Sequence, residues 1–273
     1  MGGHGRPAGS SATSPRLRCV LTWEGRTSHV RTIVTNTGTW VYAVVGDGPI
    51  DADLPPGVAG ERVRVIEAAG LTAVVGSVPF DTFGDEALHR NLEKADWLDD
   101  VARVHDGVVG AVAHTADTVP MRLATVYSDD DDVRATLSAR RTAFDTALRR
   151  IAGRAEWGVR GVADTSLPRD NDDEPSSRAD IELSVAADAN EVYAALLEAA
   201  VAGRRREPAA PELAGSRPWM PLVSTYLVER RRTGDFAAAV SFLNRTYARL
   251  ELELTGPWPP YSFTGIDEDP GPS

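Results

Sequence analysis

The segment Gly234–Leu254, GDFAAAVSFLNRTYARLELEL, changes its hydrophobic period partway along and so predicts two elements in succession. Gly234 and Asp235 are typical of a helix start. Apolar residues then recur four and three positions apart, which places them on one face of a helix. They are Phe236, Val240, Leu243, Tyr247 and Leu250. From Glu251 to Leu254 the period is two, so a strand is expected to follow the helix directly.

Strands and helices are predicted to alternate upstream of this segment. Glu156–Ala163 and Pro221–Glu229 are strand-like, and Ile181–Val185 is expected to form a short strand. A capping-box pattern, Asp188 with Glu191 three residues later, predicts the start of a helix. Two polar, proline-containing stretches are expected to be loops, Ser166–Arg178 and Arg204–Pro218. The order strand, helix, strand, helix and strand after residue 155 favours a ferredoxin-like sheet with helices on one face.

The first half of the chain predicts a sheet that contains a hairpin. Thr39–Val45, TWVYAVV, is rich in β-branched and aromatic residues, as strands are. Arg62–Ala68 and Leu71–Val78 are two further predicted strands. Ala69 and Gly70 lie between them and predict a tight hairpin turn.

Helical periodicity follows the hairpin. It runs from Asp85, the expected N-cap, to Val112, with a break near Asp96. Val119–Tyr127 is predicted as the next strand. Asp129 can then cap a helix with one apolar stripe, formed by Val133, Leu137, Phe144, Leu148 and Ile151.

These patterns predict an α+β fold with two domains. Residues 37–127 are expected to form an N-terminal mixed α/β domain with a β-hairpin sheet and helices. Residues 128–263 are expected to form a C-terminal ferredoxin-like domain that ends in an aromatic-proline segment. Residues 1–36 are predicted to be a flexible or extra N-terminal extension, and residues 264–273 a loose acidic tail.

Composition narrows the function classes. The chain has 273 residues, of which 42% are hydrophobic and 25% charged, as in globular proteins. The formal net charge of −11 argues against a general nucleic-acid binder, which usually carries a basic face. Cys19 is the only cysteine, so no internal disulfide is possible. No signal-peptide core and no run of about 18 apolar residues is present, so a soluble cytosolic protein is expected.

No pattern of catalytic or metal-ligating residues is recognisable in the sequence. Phosphate-binding loops, the GxGxxG pattern and the GxSxG nucleophile elbow are absent. Glu86 and His89 form one ExxH pair without the second pair that a di-metal site needs, so we expect a solvated helix face. His105 is expected to be a satisfied, partly buried histidine. The acidic run Asp129–Asp132 fits a helix N-terminus better than a calcium loop. We therefore predict no catalytic residues, no cofactor, no metal and no enzyme activity.

Leu252–Phe263, LELTGPWPPYSF, is the most distinctive stretch of the chain. Two leucines finish a strand, Gly256 and Pro257 turn the chain, and Pro259 and Pro260 stiffen the backbone after the turn. The aromatic residues Tyr261 and Phe263 then flank Ser262. On physical grounds alone this segment either closes a core or binds a partner.

This stretch is similar to the C-terminal signature of the gas vesicle F/L proteins, the GvpF/GvpL family. Four upstream stretches resemble the same family: Trp40–Val45, Trp97–Val109, Val119–Tyr127 and Glu156–Val159. The resemblance covers roughly residues 38–263 and suggests a divergent, actinobacterial-type member. Leu123 and Ala124 stand where the family more often has an aromatic residue and a glycine. The family pattern begins near Thr39, so a translation start at Val30 or Val34 is one hypothesis.

The resemblance implies a role in gas vesicle assembly. Such a protein would act in the cytoplasm and on the gas vesicle, and would bind the hydrophobic shell protein, other accessory proteins, or both. The alternative is a minor structural component of the vesicle wall. The residues proposed for structural or partner-binding roles are Arg122, Trp157, Pro257, Trp258, Pro259, Pro260, Tyr261 and Phe263. Trp258, Tyr261 and Phe263 are expected to pack on the second domain, and Arg122 and Trp157 to lie near the domain junction.

Overall fold

Two antiparallel sheets organise the chain, one formed before residue 128 and the other after residue 153. They are seen in a computed structural model that describes residues 36–50, 53–164, 178–207 and 218–266. The strands are β1 Thr37–Gly46, β2 Arg64–Ala68, β3 Leu71–Pro79, β4 Thr118–Pro120, β5 Val126–Tyr127, β6 Arg154–Ala163, β7 Ala202–Arg205, β8 Leu222–Glu229 and β9 Leu250–Trp258. The helices are α1 Phe80–Phe83, α2 Asp85–Leu92, α3 Ala95–Thr115, α4 Asp130–Ala139, α5 Arg141–Ile151, α6 Arg178–Glu198 and α7 Thr233–Thr246.

The first sheet is built around β1. Its order is β2-β3-β1-β4, and β5 also pairs with β1. Trp40 and Tyr42 pack on one face with residues of α3, while Val41 and Val44 pack on the other with residues of α4 and α5. Because β1 is covered on both faces, nearly all of its residues are buried.

The predicted hairpin is confirmed. Ala68 pairs with Leu71, and Ala69 and Gly70 between them have φ angles of +52° and +69°. Two successive positive φ values are typical of the type I′ turn, whose twist matches that of the flanking strands.

The second sheet has the order β7-β8-β6-β9, and every pair in it is antiparallel. Along the chain the order is strand, helix, strand, strand, helix, strand. Residues of α6 and α7 share one apolar cluster with Trp157, Val159 and Tyr226 of the sheet. The coarse prediction of a mixed fold with antiparallel sheets and helices is confirmed.

The predicted strand Val119–Tyr127 is wrong, since two short strands, β4 and β5, take its place. β1 has a bulge between Val41 and Ala43, and the chain opposite it turns at residues 122–125. Ala124 has a φ of +68°, and the Thr125 N–H donates to the Arg122 carbonyl at 3.2 Å. Hydrophobic alternation hides such a turn because the flanking residues still face a core.

The predicted single helix after Asp129 is also divided, into α4 and α5. Its N-cap is as expected, because Asp129 accepts from the N–H groups of Asp131 and Asp132 at 2.9 and 3.0 Å. Arg140 then leaves helical geometry, with φ −104° and ψ 17°. The apolar stripe remains continuous across the break, so periodicity alone does not reveal it.

The short strand predicted at Ile181–Val185 is wrong, because α6 begins at Arg178 and runs through it. The Asp188–Glu191 pair therefore lies inside the helix and caps nothing. β-branched residues suggested a strand, but spacings of four, three and four bury Val185, Ala189, Val192 and Leu196 on one helix face. Part of the predicted loop at 204–218 is strand β7, and α7 ends at Thr246 instead of continuing to Leu250.

The described residues from Thr37 onward belong to one compact unit. The predicted boundary at residues 127 and 128 therefore stays a prediction. Thr264 and Ile266 are buried, so ordered packing continues past Phe263 into the stretch expected to be loose. The predictions for residues 1–35 and 267–273, Cys19 included, and for residues 166–177 of the loop expected at Ser166–Arg178, lie outside the described residues. In the described ranges, no helix has the length and apolar character needed to span a membrane.

Candidate functional site

The terminal segment, residues 256–266, begins at an irregularity in β9 and leaves the second sheet after Trp258. β9 pairs with β6, and the register shifts between Glu156 and Gly158. Gly256 has a φ of +124°, and a Cβ there would lie 2.9 Å from the Glu156 carbonyl oxygen. Only glycine fits this irregularity of the strand without strain. The Gly256–Pro257 peptide bond is cis.

A buried carboxylate holds the segment. Glu156 is 6% exposed and accepts from the Ser262 N–H at 2.8 Å and from the Ser262 hydroxyl at 2.6 Å. Burial raises the pKa of Glu156, while the two Ser262 donors and the positive charge of Arg204 act in the opposite direction. The two bonds satisfy a polar group that would be costly to bury alone.

Tyr261 connects the segment to α3. Its hydroxyl donates to Asp106 Oδ1 at 2.9 Å, and its ring packs against the core between β1 and α3. Burial raises the pKa of Tyr261, and the nearby Asp106 carboxylate adds to the effect. Tyr261 therefore contacts α3, which packs on the first sheet, whereas the sequence predicts that it packs on the second domain.

Phe263 and Ile266 complete the attachment. Phe263 is 1% exposed, and the Arg204 guanidinium lies over its ring at 6.0 Å. Ile266 is 3% exposed and belongs to the core between the first sheet and α5, and Arg140 donates to its carbonyl. The terminal segment thus bonds to β6 and packs into the first sheet's cores, joining the two sheets.

A groove of about 640 Å³ lies beside this segment. Asp106, Gly110 and Ala113 of α3 form one wall, and Pro257–Tyr261 form the opposite one. A Cβ built on Gly110 would meet nothing within 4 Å, so this wall is open. Trp258 lines the groove and is 55% exposed, which is unusual for so large an apolar side chain.

The polar side chains of the groove have hydrogen-bond or ion-pair partners, both within the groove and beside it. Asp106 accepts from Tyr261 and Glu156 from Ser262, while Arg230 pairs with Asp117 at 3.1 Å. Such bonds position the walls and leave no obvious nucleophile and base in contact. The groove therefore offers mainly apolar contact surface.

Trp157 and Arg122, the other two predicted site residues, lie in different parts of the molecule. Trp157 is 8% exposed and packs in the second sheet's cluster, its ring 6.5 Å from that of Phe236. A Cβ on Gly256 would lie 3.2 Å from Trp157 Cε3, so this tryptophan supports the turn into the terminal segment. Arg122 is exposed in the turn between β4 and β5, and it does not line the groove.

Sequence reasoning missed Glu156, Ser262, Asp106 and Ile266. Glu156 occupies an inward position of a strand, where a charged residue is a signal for a specific partner. The partner lies 106 positions away in sequence, so local patterns do not reveal it.

The histidine predictions agree with the structure. His105 is 1% exposed, its Nδ1 accepts from Trp40 Nε1 at 3.0 Å, and its Nε2 lies 3.0 Å from the Met121 carbonyl. Burial lowers the pKa of His105. Glu86 and His89 are exposed on α2. Within the part of the chain that the structure describes, no group of three or more His, Cys, Asp or Glu is placed to hold a metal ion.

The sequence matches the family model of the gas vesicle synthesis proteins GvpL/GvpF over residues 38–183 and 174–265. The chain belongs to this family. It is 36% identical to gas vesicle protein L of Streptomyces sp. strain CB03234, over 84% of this chain and 94% of that protein. It is 24% identical to gas vesicle protein F1 of Halobacterium salinarum, over 83% of this chain and 92% of that one.

Solved structures share the fold of this GvpL/GvpF family member. The crystal structure of GvpF from Anabaena sp. PCC7120 superposes with a TM-score of 0.64 at 16% identity, over 84% of this chain and 97% of that one. GvpF from Microcystis aeruginosa gives a TM-score of 0.62 at 15% identity, over 83% and 98% of the two chains. Family membership gives the chain a role in gas vesicle formation.

Proposed function

We propose that this chain is an accessory protein of gas vesicle assembly that acts by binding the hydrophobic shell protein or other accessory proteins. The observation that carries the proposal is Trp258, which lies 55% exposed in an apolar-walled groove between the terminal segment and α3. Large exposed aromatic side chains in concave surfaces are typical anchors for a partner.

The chemistry of the partner explains why such a surface is useful. A shell monomer with a large apolar surface aggregates in water unless something covers it. A groove with apolar walls covers part of that surface, and a net charge of −11 keeps the complex soluble. We accordingly place the chain in the cytoplasm and at the gas vesicle.

We also propose that the second sheet with α6 and α7 is a ferredoxin-like domain. The order β6-α6-β7-β8-α7-β9 and the sheet order β7-β8-β6-β9 support it. Because α4 and α5 share a core with β1, we assign both helices to the N-terminal domain. The proposed domain junction then lies at about Ala152 instead of residue 128.

Co-purification tests the function with two matched pairs of variants. Gly110→Leu fills the groove, while Gly107→Leu adds the same side chain to the same helix outside the groove lining, where a Cβ also meets nothing. Trp258→Ala removes the anchor, while Phe242→Ala removes another aromatic residue, 60% exposed on α7.

Each full-length variant is co-expressed with the shell protein and recovered by an affinity tag. The shell protein is expected to co-purify with the wild type, Gly107→Leu and Phe242→Ala, and to be lost from Gly110→Leu and Trp258→Ala. Equal recovery with all five chains would refute binding at the groove. Retention of the chain on intact, salt-washed vesicles would instead favour a component of the wall.

A further inference from the structure

Helix α6 has apolar residues on both its buried and its solvent-facing sides. On the buried side, Val185, Ala189, Val192 and Leu196 have no exposed surface. A surface helix normally carries charged and polar residues on its solvent-facing side. The solvent-facing side of α6 is therefore an unusual surface, and none of its residues lines the groove beside the terminal segment.

Apolar residues recur along the solvent-facing side of α6, with the polar Asn190 among them. Leu183, Ala187, Ala194 and Leu197 are exposed and recur at spacings of four, seven and three, which keeps them on one helix face. Val201 is also exposed, just beyond the end of the helix. Leu183 is 71% exposed, Leu197 39% and Val201 47%. We call these five residues the α6 ridge.

Carboxylates border one side of the α6 ridge. Asp180, Glu191 and Glu198 are exposed and spaced eleven and seven residues apart, so they form a row parallel to the ridge. The helix contains five acidic residues and one basic residue, Arg178. Asn190 lies within the ridge, seven residues after Leu183, and its side-chain oxygen accepts from Arg205 at 2.5 Å.

We infer that the α6 ridge is a second docking surface, and that it binds an amphipathic helix whose apolar face is bordered along one edge by lysine or arginine. Two helices pack by fitting the side-chain ridges of one into the grooves of the other, so the apolar side chains of α6 can pack against an apolar helix face. The carboxylate row then selects basic residues at the border and steers the partner's approach. The same row disfavours an anionic membrane surface as the occupant.

A labelled synthetic peptide tests this inference on the full-length chain. The probe is an amphipathic helical peptide of leucine, alanine and lysine, and its control has glutamate in place of every lysine. Fluorescence anisotropy is expected to show binding of the lysine peptide and at least about tenfold weaker binding of the glutamate peptide.

Variants locate the binding on the helix. Leu183→Ser combined with Leu197→Ser, and separately Glu191→Lys combined with Glu198→Lys, are each expected to weaken binding about tenfold or more. Leu183→Ser alone, at the most exposed position of the ridge, is expected to weaken it without affecting the fold. Glu67→Lys combined with Glu93→Lys changes the net charge equally at exposed sites elsewhere and is expected to bind as the wild type does.

Several results would overturn the inference. These are equal binding of both peptides, undiminished binding by the ridge variants, or an equal loss in the Glu67 and Glu93 control. Concentration-dependent self-association that Leu183→Ser abolishes would also overturn it, by assigning the ridge to a second copy of the chain. Trp258→Ala is expected to leave peptide binding unchanged, so failure here is distinguishable from failure of the groove proposal.

Discussion

Ser262 donates two hydrogen bonds to the carboxylate of Glu156, one from its backbone N–H and one from its hydroxyl. This pair joins the terminal segment to β6, while Tyr261 beside it bonds to α3. The aromatic-proline signature of the family thus continues into a short, bonded link between two sheets. The prolines and Trp258 of this signature line a wall of the groove.

Removal of the Ser262 hydroxyl is expected to loosen this link. Ser262→Ala deletes one of two donors to a buried carboxylate, so the free energy of unfolding is expected to fall by about 1–2 kcal/mol. Chemical denaturation measures this. Ser241→Ala is the matched control, because Ser241 bonds an exposed carbonyl of its own helix. A change for Ser262→Ala no larger than that of the control would contradict the role given to the pair.

Two aromatic residues of the signature are expected to differ in their effect on stability. Phe263 is 1% exposed, so Phe263→Ala leaves a cavity and is expected to lower the free energy of unfolding by about 3–5 kcal/mol. Trp258→Ala is expected to change it by less than about 1 kcal/mol, because its ring is half exposed. Thermal melting of both variants checks this, and similar losses would show that Trp258 also has a packing role.

His105 is expected to make stability depend on pH. Trp40 can only donate to Nδ1, so the neutral ring must donate from Nε2 to Met121. Burial lowers the folded-state pKa, so the unfolded chain takes up a proton first as the pH falls below 6.5. The free energy of unfolding should therefore fall between pH 6.5 and the lower folded-state pKa.

The free energy of unfolding is measured by chemical denaturation across this pH range, for the wild type and for two histidine variants. His105→Gln should lack this fall, although it is less stable overall. His114→Gln, at an exposed position of the same helix, should retain it. The same pH dependence in the wild type and in His105→Gln would disprove the assignment.

The hairpin turn offers a stabilising change. Ala69 has a φ of +52°, a conformation that is unfavourable for alanine and well tolerated by asparagine. Ala69→Asn is expected to raise the free energy of unfolding by about 0.5–1 kcal/mol. Gly70→Ala is expected to lower it, because a φ of +69° is unfavourable for alanine. The denaturant midpoints of both variants measure these changes. A lower midpoint for Ala69→Asn than for the wild type would contradict the assigned turn type.

Local chemistry was sufficient to predict much of the fold from the sequence. The β1 strand, the hairpin at Ala69-Gly70 and the cap at Asp129 each depend on residues close together in the chain. The family was also evident from residues, because the order of aromatic residues and prolines in Leu252–Phe263 is distinctive.

Tertiary contacts determine what the sequence did not reveal. Ile181–Val185 favours a strand locally but is helical because its apolar residues complete a face against the second sheet. The turn at Ala124 follows the bulge in β1, which depends on pairing with β3. The groove needs the placement of α3 against residues more than a hundred positions later, so no local pattern predicts it.

Site-specific photo-crosslinking tests binding at the groove most directly. A photoreactive benzoylphenylalanine replaces Trp258 in the full-length chain, or Phe242 as a control, and each chain is co-expressed with the shell protein and irradiated. The groove proposal predicts a crosslink to the shell protein from position 258 and none from position 242. No crosslink from 258, or equal crosslinks from both positions, would contradict it.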